Sequence, residues 1–244
     1  MTVRKRSIIV LGCSRGIGLG ILENFATSDA CISLVGVVRK AADAERLAAR
    51  FSSDAKVRVL VGDVTDEKSM VHVAEEVRAL GIVPDLLICN AGVLTPPKPF
   101  DQISSDDMLT SFTVNVMGPF NAMTAFLPLM RNVEGAVMVN VSSGWGLCGE
   151  AGEASYCTAK HAVEGLTKCA ALDVANDAVS IVTVRPGVVL TDMLATACGG
   201  VEAAKQRGVP VDRFSGQFCD KVLAITKAES GTHIDCGYKG PVDW

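Results

Sequence analysis

The run Ser7-Ile8-Ile9-Val10-Leu11-Gly12-Cys13-Ser14-Arg15-Gly16-Ile17-Gly18 decides the fold class. An apolar, β-branched stretch ends in a glycine turn, and a helical stretch follows at once. A strand covered on both faces reads as a continuous apolar run of this kind. The turn needs glycine where φ is positive or where a side chain would meet a phosphate. The helix that follows offers free backbone N–H groups and the positive end of its dipole to an anion. A glycine pattern alone is a weak signal. Between a strand and a helix it has the context in which a dinucleotide's pyrophosphate is held.

The same alternation repeats outward from that run. Strand-like runs at residues 31–37, 57–61, 85–89, 136–141, 180–184 and 233–235 join the first at 7–11. Helical stretches at 17–26, 42–51, 67–80, 105–130, 155–176 and 214–227 lie between or beside them. Pro119 and Pro128 should bend or break the stretch 105–130. Such β-α order builds a parallel sheet through right-handed crossovers. The expected fold is α/β, a doubly wound Rossmann-type parallel sheet of about seven strands with helices on both faces. No linker, repeat or low-complexity tract marks a second domain, so residues 1–244 read as one dinucleotide-binding domain. Residues 191–216 show weak periodicity and contain Gly199, Gly200 and Pro210. They are expected to form a mobile loop with a short helix, lying over the site.

Composition narrows the function classes. Of 244 residues, 49% are hydrophobic and 5% aromatic, enough for a large core of small and branched side chains. The net charge of −4 leaves no broad basic surface for nucleic acid. No stretch approaches the roughly 20 apolar residues of a membrane helix. The apolar run after Arg4-Lys5-Arg6 is too short for a signal peptide. The expectation is a soluble, cytoplasmic protein. The nine cysteines are odd in number, widely spaced and without C-x-x-C, which argues for free, buried or half-buried thiols. His72, His161 and His233 have no clustered acid or cysteine partners, so no metal site is expected. Ser143 has no G-x-S-x-G elbow around it, which disfavours a hydrolase.

Two further stretches carry chemistry. Tyr156-Cys157-Thr158-Ala159-Lys160 places Tyr156 and Lys160 one turn apart on a helix face. A free phenol titrates near pH ~10, too high for acid–base work at neutral pH. A neighbouring ammonium would lower that value. Tyr156 could then give a proton to a developing alkoxide, or take one in the reverse direction. Ser143, thirteen positions earlier, follows the fifth strand and can polarise a carbonyl. The second strand ends Val37-Val38-Arg39-Lys40, with no acid before Asp43. An acid there would grip the ribose hydroxyls of NAD and repel a 2′-phosphate. Arg39 and Arg15 can instead bind that phosphate, which points to NADP(H) over NAD(H).

Taken together, these motifs resemble the short-chain dehydrogenase/reductase family, whose glycine motif is written T-G-x-x-x-G-x-G. Leu11 stands where the family often has Thr, which removes a hydrogen bond supporting the turn. The resemblance runs from Ser7 to about Thr191 and returns at Ser230-Gly231 and Asp235-Cys236-Gly237. It implies an oxidoreductase moving a hydride between nicotinamide and a small, apolar carbonyl or secondary alcohol. By the same resemblance, Gly12, Ser14, Arg15, Gly16, Ile17 and Gly18 cradle the cofactor, and Asp63 and Val64 bind its adenine end. Asn90, Ala91 and Gly92 wall the nucleotide. Pro186, Gly187, Val189 and Thr191 hold the nicotinamide carboxamide. Asn115 joins Ser143, Tyr156 and Lys160 as a catalytic residue, ordering a water joined to the lysine, while Lys160 also grips the ribose. The family implies a homodimer or homotetramer built through the long helices, and residues 237–244 are expected at a subunit boundary. Trp145, Leu147, Met193, Leu194 and Phe214 suggest an apolar substrate pocket, with a core role equally open to several of them. The alternative is a non-catalytic NADP(H)-binding, redox-sensing protein on the same fold.

Overall fold

Successive side chains of the first strand go to opposite faces of the sheet, and the core divides accordingly. In β1 (Arg6–Leu11), Ile8 and Val10 join one buried cluster with Ile21, Leu22, Phe25, Phe214 and Phe218. Ile9 and Leu11 join a second cluster with Met70, Val73, Phe126, Met130 and Met138. Both faces are therefore covered, as the unbroken apolar run requires.

The computed structural model describes residues 4–236. Among them β1 is followed by β2 (Cys31–Val38), β3 (Val57–Val61), β4 (Leu86–Cys89), β5 (Val137–Val141), β6 (Ser180–Arg185) and β7 (His233–Asp235). The sheet order is β3-β2-β1-β4-β5-β6-β7, and every neighbouring pair is parallel. The helices are α1 (Gly16–Thr27), α2 (Ala41–Arg50), α3 (Glu67–Ala79), α4 (Ser105–Phe112), α5 (Gly118–Met130), α6 (Ala154–Asp173), α7 (Asp192–Ala197), α8 (Val201–Arg207) and α9 (Val211–Leu223). α1 packs on α9 and α3 on α5. Strand order reverses between β1 and β4. In such sheets ligands lie outside the carboxyl ends of the strands at that reversal. Leu11, Cys89, Val141 and Arg185 end their strands on this edge and open into the loops of the site.

The long stretch 105–130 departs from expectation in an instructive way. Pro119 does not break it, because it lies in the first turn of α5, where a missing N–H matters least. Pro128 is accommodated inside α5 near its end. The irregularity comes earlier, as a π turn over Thr113–Met117, where the Gly118 N–H reaches back to the Thr113 carbonyl.

The segment after β6 also differs. It carries two short helices, α7 and α8, where one was expected. An isolated parallel bridge between Val189 and Val209 closes its base. α9 spans 211–223 where 214–227 was expected, and a 3-10 turn (Lys227–Glu229) follows it. No helix among the described residues is long and apolar enough to cross a membrane. Residues 237–244, expected at a subunit boundary, lie outside the described part.

Candidate active site

α6 and the end of β5 bring the candidate reacting groups together. Tyr156 and Lys160 share one face of α6 and are buried, with 7% and 4% of their surfaces exposed. Lys160 Nζ donates to the Val141 carbonyl at the end of β5 at 2.8 Å and lies 5.5 Å from the Tyr156 ring centroid. Ser143, just beyond β5, hydrogen-bonds the Tyr156 phenol. Its Oγ also accepts the Trp145 N–H at 3.2 Å, which holds the 3-10 turn Gly144–Gly146 against it. The Trp145 ring meets Tyr156 edge-on, with centroids 6.0 Å apart. Ser143, Tyr156 and Lys160 thus converge.

The electrostatics correct one expectation. The phenol is not lowered; burial dominates and pushes the Tyr156 pKa above its ordinary value. The Ser143 hydrogen bond opposes that rise, while the charges of Glu153 and Cys157 add to it. Burial also brings Lys160 down to about 8, against the upward pull of the Glu164 charge.

Asn115 sits inside the π turn and is fully buried. Its Oδ1 accepts the Val93 N–H at 2.9 Å, and its Nδ2 donates to the Val93 carbonyl at 2.9 Å and to Ser111 Oγ at 3.0 Å. Its amide is therefore committed to the loop after β4.

At Gly12 and Gly18 the turn is packed too closely for a Cβ. Gly12 has φ +75°, and a Cβ there would lie 2.6 Å from Ala91 Cα. A Cβ on Gly18 would lie 2.4 Å from Asn90 Nδ2 and from the Gly12 carbonyl oxygen, two atoms already joined by a 2.9 Å hydrogen bond. Gly12, Gly18, Asn90 and Ala91 are therefore one packed unit. α1 starts at Gly16 with no side-chain cap on Arg15 and no acid in its first turn. The N–H groups of Gly16, Ile17 and Gly18 stand at this uncapped, acid-free helix start. These features fit the pyrophosphate of a dinucleotide.

Other expected contacts sit around that turn. Val64 is buried, packs on Gly118, and its carbonyl accepts Asn121 Nδ2 at 2.9 Å. Asp63 Oδ1 accepts from the Thr65 N–H and Oγ1 at 2.9 and 2.7 Å; the N-cap of α3 is Asp66. Arg39 is exposed beyond β2. Arg15 pairs with Asp192 at 2.8 Å, tying the glycine turn to α7. Thr191 caps α7 through the Leu194 N–H at 3.2 Å, and its methyl would lie 3.5 Å from a Cβ on Gly16. Pro186 and Val189 are buried and Gly187 has φ +70°.

Arg46 gave no sign of itself in the sequence. Arg46 on α2 donates to the Ser14 carbonyl at 2.7 Å and pairs with Asp43 at 3.0 Å, adding a third cation beside Arg15 and Arg39. Its place on an exposed helix face gave no signal, because periodicity does not say which loop that face meets.

The model of the short chain dehydrogenase family matches residues 6–199. This chain belongs to that family. It is an oxidoreductase of the short-chain dehydrogenase type, acting on carbonyl or alcohol groups. Its relatives include the NADPH-dependent pterin aldehyde reductase of Arabidopsis thaliana, 29% identical over 229 residues, which span 94% of this chain and 92% of the relative. The NADPH-bound carbonyl reductase from chicken fatty liver superposes with a TM-score of 0.84 at 28% identity, over 97% of this chain and 98% of the other. The Sniffer carbonyl reductase of D. melanogaster shares the fold, with a TM-score of 0.86 at 22% identity, over 97% and 99% of the two chains.

Of the five apolar residues named for the substrate side of this dehydrogenase, Phe214 takes the core role: it is 1% exposed and packs beside Phe218. Leu147 is exposed, while Trp145, Met193 and Leu194 are half-buried. The loop 147–153 is strapped to the loop after β4, with the Lys98 N–H donating to the Gly152 carbonyl at 3.0 Å and Thr95 Oγ1 bonding Ser155 Oγ at 2.9 Å. All nine cysteines are free thiols; Cys169 is exposed, contrary to expectation. Burial pushes Cys13, Cys89 and Cys236 up to about 12, far from a reactive thiolate.

Proposed function

We propose that this short-chain dehydrogenase is an NADP(H)-dependent carbonyl reductase or alcohol dehydrogenase acting on a small carbonyl compound or secondary alcohol. The observation that carries the reading is the convergence of Ser143, Tyr156 and Lys160 on a sheet edge that also bears a glycine turn with no room for a Cβ at Gly12 or Gly18. When bound, the dinucleotide supplies or accepts the hydride. In this reading Gly12, Ser14, Gly16, Ile17 and Gly18 hold its pyrophosphate, and Asp63 and Val64 its adenine end. Asn90, Ala91 and Gly92 wall it, and Pro186, Gly187, Val189 and Thr191 hold the carboxamide. Arg15 and Arg39 take the 2′-phosphate, with Arg46 at hand.

Ser143 donates a hydrogen bond to the substrate oxygen and polarises the carbonyl. Tyr156 holds the proton that the nascent alkoxide takes. Its raised pKa keeps the phenol protonated at neutral pH, the state that reduction needs. Lys160 keeps a positive charge beside the phenol, grips the ribose, and supports the phenolate left behind. Asn115 fixes the loop that borders the nucleotide.

The NADPH named for the Arabidopsis thaliana and chicken proteins supports the cofactor preference. Steady-state kinetics with both cofactors tests it. We expect kcat/KM for NADPH to exceed that for NADH by about tenfold or more, from charge-assisted bonds to the extra phosphate. Equal or better use of NADH overturns the preference. Tyr156→Phe should cut kcat about 10²- to 10⁴-fold while NADPH binding persists; retained turnover overturns the assignment of the acid. For assembly, we propose a second copy of this chain against the exposed face Leu109, Phe112, Met117 and Phe120, which runs from α4 to α5.

A further inference from the structure

Glu153 is the unexplained group beside Tyr156. It stands at the start of α6, three residues before Tyr156, and is 2% exposed. Both carboxylate oxygens are buried without a hydrogen-bond partner. An acid at a helix start usually earns its place by accepting a backbone N–H of the first turn, but Glu153 makes no such bond. Among the described residues it has no ion pair either. Buried polar groups are normally satisfied, and a bare carboxylate is among the costliest to leave alone.

Its surroundings make the cost larger. The titratable neighbours that act with it are Glu150 on the same loop and Tyr156 and Cys157 on α6, none of them a cation. Burial and the Glu150 charge push its carboxyl up to about 7. Its own charge raises the Tyr156 phenol, so carboxyl and phenol feel each other's field. The straps at Gly152 and Ser155 hold the loop on either side of it. A side chain needed only for packing would be better supplied by Leu or Gln.

We propose that Glu153 is a specificity-determining residue whose two free oxygens receive N–H donors of the substrate, so that the preferred substrate is a carbonyl compound bearing an amidine-like or amino-heterocyclic edge. The inference rests on the reductase reading above. Two parallel N–H groups match two carboxylate oxygens. A site built to bond N–H groups rejects analogues that lack them, because its own acceptors then stay unpaired.

The test compares 4-amidinobenzaldehyde with its neutral isostere 4-isopropylbenzaldehyde, using the full chain and NADPH. At pH 8 the wild-type protein should favour the amidine in kcat/KM by about tenfold or more. Glu153→Gln should lose most of that preference, and Glu153→Leu should reverse it. The wild-type preference should fall as pH drops through about 7, where Glu153 gains a proton and one oxygen stops accepting. Calorimetric titration with benzamidine gives a readout independent of turnover: binding to the wild type and none to Glu153→Leu is expected. If both aldehydes are reduced and the ratio is the same in all three proteins, the Glu153 assignment falls and the reductase reading stands. If the wild type binds NADPH but reduces neither aldehyde, the reductase reading falls and takes the assignment with it.

Discussion

Lys160 and Glu164 occupy successive turns of one face of α6. Glu164 is 5% exposed, and its Oε2 accepts the Thr183 hydroxyl at 2.7 Å. Its negative charge is what resists the loss of the Lys160 proton on burial. Glutamine would keep an acceptor for Thr183 and remove the charge. Lys160 should then lose its proton more easily, at a pH below about 8. The cation is lost as pH rises through that value, so the alkaline fall of kcat/KM should move to lower pH. We expect a shift of about one pH unit in Glu164→Gln, and an unchanged profile would refute the role.

At this scale the sequence announced Ser143, Tyr156 and Lys160, because helical spacing and a strand end bring them together. It could not announce the raised phenol, since depth of burial is a property of the packed molecule. Arg46 and Glu153 were illegible for a related reason: both are charged residues whose partners, or lack of them, appear only when the loops close.

Among the elements, the π turn at Thr113–Met117 is the one tied to the site. It carries Asn115, whose amide satisfies both backbone groups of Val93. Asn115→Ala would leave those groups and Ser111 without this partner, at a cost of about 1–3 kcal/mol. We expect a lower Tm and a fall in kcat together. A drop in Tm with kcat intact would make Asn115 structural alone.

The helix 105–130 was legible from its apolar periodicity, but the π turn was not. One extra residue in a turn barely disturbs a periodic pattern, whereas proline, the visible breaker, falls at a harmless first-turn position. α7 and α8 are too short to show a period at all.

For the whole molecule, parallel pairing follows from the β-α alternation, and the strand bounds agree to within a residue or so; the strand order does not, because the same alternation serves more than one order. An assembly is expected only through the family, and nothing in the sequence alone points to one. The exposed face Leu109, Phe112, Met117 and Phe120 is the place to look. Replacing Phe112 and Phe120 by Glu should lower the mass measured by light scattering to that of one chain, with circular dichroism unchanged. A single-chain mass already in the wild type would remove the proposed assembly.

The uniform direction of the strands has a practical consequence. β1 begins at Arg6, and at about 3.3 Å per residue its six residues set the chain's entry some 20 Å from the reacting edge. Arg4 lies on that entry side, against the Glu134 carbonyl and near Asp85. A bead, electrode or affinity handle tethered ahead of Arg4 therefore grips the protein from behind and leaves the mouth of the crevice unshaded.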